Sequence, residues 1–196
     1  MRITTGRFKG RIIRTVNDLS VRPATDRVRQ TIFNILAHRM DLEGIMVLDL
    51  FAGSGSLGLE ALSRGAARAT FVESDPRVVA ALEQTAQQFG CTEAADIVRG
   101  DALRYLRRAR GGYHLIFADP PYAYPSTADL PEEVISHGLV RKDGYLIIEH
   151  AATLRFAETE RYAIGPVKAF GRTVVTFFTA KEIEHETTPG SVPGNL

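Results

Sequence analysis

The sequence lacks several features that mark other classes of protein. Its 196 residues include one cysteine, Cys91, and no tryptophan. One cysteine excludes an intramolecular disulfide and indicates a reducing compartment. No apolar run approaches the roughly 18 residues of a membrane helix, and the N-terminal MRITTGRFKG has no apolar segment typical of a signal peptide. We therefore expect a cytoplasmic protein without a membrane partner, in which Cys91 is an ordinary loop residue.

Metal-ligand spacing and a net charge of one sign are also lacking. The five histidines are not spaced as ligands with one another or with Cys91, so we expect no metal site. The net charge is only +1, but it is unevenly distributed. Residues 1–40 hold nine Lys or Arg against two Asp, a balance of +7, and the other 15 basic and 21 acidic residues give −6.

The basic N-terminal end indicates contact with a polyanion, usually nucleic acid. We expect four of its side chains to contact RNA phosphates: Arg7, Lys9, Arg11 and Arg22. A charged arm that is merely solvated is the alternative. The two interpretations differ in the salt dependence of RNA binding, because each phosphate contact releases counterions.

From residue 45 onward, short β-rich runs alternate with helical stretches. This pattern predicts an α/β fold, a doubly wound and mostly parallel sheet with helices on both faces. A short loop containing Gly165, Pro166 and Gly171 separates the last two runs and predicts an antiparallel hairpin. The seven predicted strands are IMVLDL, ATFVES, ADIVRG, YHLIFAD, GYLIIEH, RYAIG and RTVVTFFTA.

Two elements precede the sheet and one segment follows it. RITTGRFKGRIIRTV predicts a small hairpin with Arg7 and Lys9 near its turn. DRVRQTIFNILAHR predicts a helix capped by Thr25 or Asp26 that packs on the main domain. We expect a basic extension over 1–40, one domain over 41–180 and a flexible tail over 181–196. The apolar face of the helix comprises Val28, Ile32, Ile35 and Leu36.

A glycine-rich turn lies between the first strand and the next helix. VLDLFAGSGSLGLEAL contains Gly-x-Gly-x-x-Gly at Gly53, Gly55 and Gly58, and Glu73 ends the following strand, where its carboxylate can accept two ribose hydroxyls. Together they predict an adenosine-type cofactor. Asp49 stands four residues before Gly53, where it would repel the pyrophosphate of NAD. It suits the ammonium and sulfonium of S-adenosylmethionine instead.

The segment LIFADPPYAY ends a strand-like run with Asp119, Pro120, Pro121 and Tyr122. Two prolines remove backbone donors and keep the preceding residue extended, so the carbonyls of this segment stay available as acceptors. The Asp119 carboxylate and the Pro120 carbonyl can accept both N–H groups of an exocyclic amine, which is otherwise a poor nucleophile. Tyr122 offers a ring face on which an unstacked base can lie.

These segments resemble a known family. VLDLFAGSGSLGLEALSRGAARATFVESD with FADPPY resembles the Rossmann-like S-adenosylmethionine-dependent methyltransferases of exocyclic amines. The match is closer to the RsmD family, which methylates the guanine N2 of bacterial 16S ribosomal RNA. RITTGRFKGR, VRPATDRVRQTIFNIL and AFGRT are similar to that family too, so the resemblance spans residues 2–180. Ala24 replaces the usual threonine, and FGRT replaces the more common Tyr-Gly-Asp-Thr.

The resemblance implies S-adenosylmethionine as the cofactor and 16S rRNA as the substrate, within a small-subunit particle. It implies a seven-stranded sheet, and we expect a monomer. It also implies cofactor contacts for Phe51 and for Asp101 and Ala102, near the adenine amino group, and catalysis by residues 119–122. Two alternatives stay open: an adenine-N6 methyltransferase of DNA or RNA that uses the same chemistry, and a nucleic-acid-binding module without catalysis.

Overall fold

A computed structural model of the protein describes residues 1–15 and 26–182. Over these ranges, five α-helices flank one seven-stranded sheet. The helices are α1 (Asp26–Ala37), α2 (Ser56–Ser63), α3 (Pro76–Phe89), α4 (Ala102–Leu106) and α5 (Leu130–Ser136). The strands are β1 (Met46–Asp49), β2 (Arg68–Glu73), β3 (Ala95–Arg99), β4 (Tyr113–Ala118), β5 (Val140–Ala151), β6 (Tyr162–Phe170) and β7 (Thr173–Ala180).

The strand order is β3-β2-β1-β4-β5-β7-β6. The first five of these strands pair in parallel, and β7 runs antiparallel to both of its neighbours. The doubly wound architecture predicted from the alternating pattern is thus confirmed. The order reverses between β1 and β4, and such a switch point opens a crevice beyond the carboxyl ends of the strands.

The sheet is covered by an apolar layer on each face. One layer joins α1, α2 and α3 to the sheet, and Phe33 of α1 packs on Phe117 of β4 with ring centroids 5.8 Å apart. Of the apolar face predicted for α1, Val28, Ile32 and Leu36 are buried and Ile35 is half-buried. The other layer joins α4 and α5 to the sheet. The apolar faces of the helices and the buried strands therefore form two hydrophobic cores, one on each face of the sheet.

The N-terminal segment is less regular than the predicted hairpin. Arg2 and Ile12 form a single antiparallel bridge. The N–H groups of Ile3, Lys9, Gly10 and Arg11 bond within the segment. Those of Thr4, Thr5, Arg7 and Phe8 bond to α2 instead, as in the 2.8 Å hydrogen bond from the Arg7 N–H to the Ser63 carbonyl. Gly6 permits this approach, since a Cβ there would lie 1.8 Å from the Ser63 carbonyl oxygen. Hydrogen bonds to the end of α2 thus compete with those of a regular hairpin, and the sequence pattern of the segment alone does not reveal this contact.

The prediction that Gly165 and Pro166 belong to the loop between the last two strands is wrong. Gly165 and Pro166 lie inside β6, where the register shifts between Ile164 and Val167. A proline is tolerated there because β6 is an edge strand. The turn is made by Gly171, with φ +65°, and Arg172.

Several predictions fall on other parts of the chain. Cys91 lies after α3, as expected of a connecting residue, but it is buried. The expected contacts of Arg22, the Thr25 cap, the Ala24 departure and the tail from residue 183 lie outside the described residues. Over the ranges that are described, no helix combines the length and apolarity needed to cross a bilayer.

Candidate active site

The glycine turn packs directly on the ends of β1 and β2. Asp49, the last residue of β1, is buried and accepts a hydrogen bond from the Gly58 N–H at 3.1 Å. Gly55 has φ +74°, which favours glycine. A Cβ on Gly58 would lie 2.3 Å from the Phe71 ring. Gly53 also has a positive φ, +51°, so the fold favours glycine at all three positions, and Asp49 is held beneath the turn.

Glu73 fastens the same turn from the side of β2. Its carboxylate accepts hydrogen bonds from three backbone N–H groups, those of Gly53 at 3.0 Å, Ser74 at 2.7 Å and Asp75 at 2.8 Å. The side chain is half-buried. Glu73 therefore lies at the mouth of the crevice and orders the loop in which a nucleoside would be held.

The remaining cofactor candidates lie along the same edge. Asp101 is exposed and caps α4, with its carboxylate accepting the Arg104 N–H at 2.9 Å, and Ala102 beside it is buried. Phe51, in the glycine turn, packs edge-on against Tyr124 with ring centroids 5.1 Å apart. This contact brings the glycine turn next to the loop that follows Asp119.

Three carboxylates on adjacent strands meet at the crevice. Asp49 ends β1, Asp119 follows β4, and Glu149 of β5 lies one residue beyond the pair of Ala118 and Ile148. Burial, then the charge of Glu149, then that of Asp49 raise the pKa of Asp119 well above its usual range. Burial raises the pKa of Asp49 to about 7, with Glu73 adding to the rise and the Gly58 N–H opposing it.

Electrostatics of this kind favour a particular ligand. Asp49 is buried and Asp119 and Glu149 are half-buried, so ionising all three side by side is unfavourable, and a cation or a set of N–H donors relieves the repulsion. An anionic ligand such as a pyrophosphate would increase it. The crevice therefore suits a cationic group beside Asp49 and hydrogen-bond donors beside Asp119.

The double proline forms a tight turn after Asp119. The Pro121 carbonyl accepts the Tyr124 N–H at 2.7 Å, whereas the buried Pro120 has a carbonyl that accepts no hydrogen bond from the described part of the chain. The Tyr122 ring is 53% exposed, and its hydroxyl hydrogen-bonds to Thr173. Asp119, a carbonyl acceptor and a tethered aromatic face thus lie within four consecutive residues.

A small cleft of about 200 Å³ adjoins this turn. His150, on its wall, is buried and held by a 2.8 Å hydrogen bond between its Nε2 and the Thr176 hydroxyl. The side chains that line the cleft include Pro120, Pro121, Tyr122, Tyr124, Thr127, His150 and Leu154.

Sequence reasoning assigned no role to Glu149, Thr173 or Tyr124. Glu149 had a detectable signal, since it lies near the end of a strand that faces the same edge. Thr173 and Tyr124 had none, because their contacts with Tyr122 and Phe51 join segments far apart in sequence. Within residues 1–15 and 26–182, no group of His, Cys, Asp and Glu is arranged to hold a metal ion.

The predicted RNA contacts lie away from the carboxylates. The Arg7 guanidinium lies over the Phe8 ring at 4.6 Å, and that of Arg11 lies 5.4 Å from the Phe89 ring. Phe89 ends α3, and Arg7 bonds to the last residue of α2. Both helices start at the crevice and end at the opposite edge of the sheet, so Arg7, Arg11 and the exposed Lys9 lie at that opposite edge.

Comparison with known proteins gives consistent matches. The family model described as conserved hypothetical protein 95 matches residues 1–179. Ribosomal RNA small subunit methyltransferase D of Escherichia coli K12 is 37% identical over 162 residues, 82% of this chain and 75% of that protein. Its Haemophilus influenzae counterpart is 37% identical over 142 residues, 69% of each chain. The solved structure of hypothetical protein TTHA0928 from Thermus thermophilus superposes with a TM-score of 0.78 at 29% identity, covering 90% of this chain and 98% of that one.

Proposed function

Since this chain belongs to the conserved hypothetical protein 95 family, the RsmD family, we propose that it transfers a methyl group from S-adenosylmethionine to the N2 amine of a guanine in bacterial 16S rRNA. The chain is an RNA methyltransferase. The N2 position and the identity of the methyl donor are the proposal. One observation carries it: Asp119 and the Pro120 carbonyl lie at the same sheet edge as the glycine turn and Asp49.

The residues of the crevice fit S-adenosylmethionine. Asp49 would face its ammonium, Glu73 the ribose hydroxyls, and Asp101 the adenine, with Phe51 and Ala102 beside it. Burial raises the pKa of Asp49, so its negative charge is unfavourable unless a cation lies beside it. NAD, whose pyrophosphate would approach Asp49, fits less well. When bound, S-adenosylmethionine supplies a methyl group that is already activated by its positive sulfur.

Asp119 and Pro120 act on the amine. The nitrogen lone pair of an exocyclic amine is delocalised into the base, so nucleophilicity has to come from the protein. Two acceptors that take the two N–H hydrogens draw the nitrogen toward tetrahedral geometry and hold it in one orientation. Because the pKa of Asp119 is raised, its carboxylate is also suited to accept the proton that the amine loses.

Tyr122 and the adjoining cleft hold the target base. The hydroxyl of Tyr122 is tethered to Thr173, so its exposed ring has a fixed orientation. A base taken out of its stack can lie on such a ring. Pro121 closes the turn that presents the ring by accepting the Tyr124 N–H.

The proposal includes a setting for the reaction. The substrate is 16S rRNA within a small-subunit particle, and the enzyme works as a cytoplasmic monomer. Arg7, Lys9, Arg11 and Arg22 contact its phosphates. An adenine-N6 methyltransferase would use the same acceptors, and only the identity of the modified nucleoside separates the two activities.

Incubation of small-subunit particles that lack the modification with methyl-labelled S-adenosylmethionine, followed by nucleoside analysis, tests the proposal. We expect label in N2-methylguanosine. Label in N6-methyladenosine would support the alternative activity instead, and no label in RNA would contradict both.

Replacement of Asp119 by Asn should lower the rate of methyl transfer by about 100-fold or more, because one charged acceptor of the amine is lost. S-adenosylhomocysteine affinity, measured by calorimetry, should change little. The exposed Asp129, ten residues downstream, gives a matched control in Asp129→Asn, which should retain activity. Near-normal turnover of the Asp119 variant would refute the role assigned to its carboxylate.

A further inference from the structure

A second and larger cavity lies at the amino-terminal edge of the sheet, opposite the crevice. It occupies about 710 Å³, within the range typical of small-molecule sites. We call it the arginine pocket, and the residues that define it are Arg68, Asp96, Tyr105, Arg110, Tyr113 and Arg141. The six-residue strands β2 and β4 separate the two edges, which at 3.3 Å per residue places the pocket about 20 Å from the carboxylates.

The three guanidinium groups are each anchored on one side. Arg141 donates from Nε to the Gly112 carbonyl at 3.1 Å, and Arg110 donates to the Ala109 carbonyl at 2.9 Å. Arg68 pairs with Asp96, with Nη2 2.6 Å from Oδ1. Each guanidinium has five N–H donors, so donors are left over on all three. Three arginines against one aspartate give the lining a net charge of +2.

The floor of the pocket is apolar and aromatic. Met46, Ile97 and Val98 line it together with Tyr105 and Tyr113. The two phenol hydroxyls are 2.7 Å apart and hydrogen-bonded to each other. Burial and the neighbouring Tyr113 raise the pKa of Tyr105 above its ordinary value, so the phenol stays neutral and a donor. Cationic groups beside an apolar floor suit a phosphate with its attached ribose and base.

A row of exposed arginines extends from the crevice edge to the pocket. Residues 99–110 hold five arginines and one aspartate, although the chain beyond residue 40 is net negative. Arg99 ends β3 at the crevice edge, and Arg110 lies at the pocket. All five arginines of this row are exposed: Arg99, Arg104, Arg107, Arg108 and Arg110. Such spacing matches a polyanionic strand better than it matches a single free anion.

We propose that the arginine pocket binds a phosphate-bearing nucleotide of the substrate RNA strand, a few nucleotides away from the methylated base. The choice of RNA rests on the function proposed above. The strand leaves the crevice, follows the exposed arginines along α4 and places one nucleotide in the pocket.

The double variant Arg110→Gln/Arg141→Gln tests this site. Arg68 is left in place because its loss would strand Asp96. The matched control, Arg39→Gln/Lys168→Gln, removes two exposed charges, one just after α1 and one in β6. Filter binding uses a transcript of small-subunit rRNA at several salt concentrations. We expect the pocket variant to bind at least tenfold more weakly, with the salt slope reduced by about 1.4 to 1.8 for two contacts. The control should remain within about twofold of wild type.

Thermal melting and S-adenosylhomocysteine affinity verify that the variants are folded. Wild-type RNA affinity and salt slope in the pocket variant would overturn the proposal, even if methyl transfer by the wild-type enzyme stands. Conversely, RNA binding that depends on the pocket without N2-methylguanosine formation would refute the proposed function alone. Free uridine 5′-monophosphate is the second probe. Its loss from the pocket variant with unchanged RNA affinity would assign the pocket to a free nucleotide and refute the RNA proposal.

Discussion

At the scale of single residues, the charge state of the crevice is set by carboxylates from neighbouring strands. Asp49, Asp119 and Glu149 come from three strands that are adjacent in the sheet but far apart in sequence. Each raises the energetic cost of ionising its neighbour. A ligand that brings positive charge to this cluster therefore shifts protons as it binds.

Binding of S-adenosylhomocysteine should depend on pH through Asp49. Its pKa of about 7 in the folded protein lies above the ordinary value near 3.9, and an ammonium ligand favours the ionised form. Affinity should therefore be nearly constant above pH 8 and weaken below pH 7, approaching about tenfold per pH unit. Calorimetry from pH 5.5 to 8.5 measures this dependence.

The Asp49→Asn variant should bind S-adenosylhomocysteine weakly with a flat pH profile, whereas Asp119→Asn should retain the pH dependence. A wild-type affinity profile that is flat across pH 7 would refute the assignment of Asp49 to the cation.

The same raised pKa has a second consequence for the stability of the ligand-free protein. The native state binds the extra proton between the two pKa values, so the contribution of Asp49 to stability is lost as pH rises from about 4 to 7.

Most of these residues were recognisable in sequence because their signals are local. Asp49, Glu73 and Asp119 each end a predicted strand, and parallel strands present their carboxyl ends at one edge. The structure places all three there. The influence of Glu149 on Asp119 was not predictable, since it depends on which strands are neighbours in the finished sheet.

At the scale of elements, one buried carboxylate ties the N-terminal segment to α2. Glu60 is fully buried and accepts the Thr4 and Thr5 N–H groups at 2.8 and 3.1 Å. It also pairs with the fully buried Arg29 of α1 at 3.5 Å and with Arg64 at 2.9 Å. The N-terminal segment, α1 and the helix that carries the glycine turn therefore share one charge centre.

The Glu60→Gln variant should lower the free energy of unfolding by about 3 kcal/mol, because the buried Arg29 would lose one of its two carboxylate partners and keep only Asp26, at 2.8 Å. Urea denaturation monitored by circular dichroism measures the change. Glu83→Gln, on the exposed face of α3, should change stability by less than about 0.5 kcal/mol. A similarly small change for Glu60→Gln would mean that Arg29 does not depend on this carboxylate.

The predictability of the elements follows the same division between local and tertiary causes. Strands β1 to β5 and the long helices α1 and α3 were recognised from their apolar period. The extent of β6 was not, because an edge position lets Gly165 and Pro166 remain in the strand. The predicted N-terminal hairpin is reduced to one bridge, because part of its backbone donors bond to Glu60 and Ser63 of α2.

At the scale of the whole molecule, two basic surfaces share the edge of the sheet that lies opposite the crevice. One is the N-terminal tip with Arg7, Lys9 and Arg11, on the face of α2 and α3. The other is the arginine pocket, on the face of α4. The overall charge of +1 conceals both.

Changing Arg7, Lys9 and Arg11 together to alanine should lower RNA affinity and reduce the salt slope by about 2 to 3, at about 0.7 to 0.9 per phosphate contact. Filter binding at several salt concentrations measures both quantities. S-adenosylhomocysteine affinity serves as the control and should not change. Because both of these arginines pack on Phe8, a melting curve is needed to verify that the segment remains docked. A merely solvated arm predicts unchanged RNA affinity and slope.

The RNA contacts proposed at the N-terminal tip and at the arginine pocket, about 20 Å from the crevice, imply that activity depends on substrate length. A free nucleoside or a short oligonucleotide can reach the crevice but not the tip or the arginine pocket, so it forgoes most of the phosphate contacts. Only a long or folded RNA engages both ends at once, and the tethered contacts then act at high effective concentration. We therefore expect free guanosine and short RNA fragments to be poorer substrates than long RNA because of their size alone.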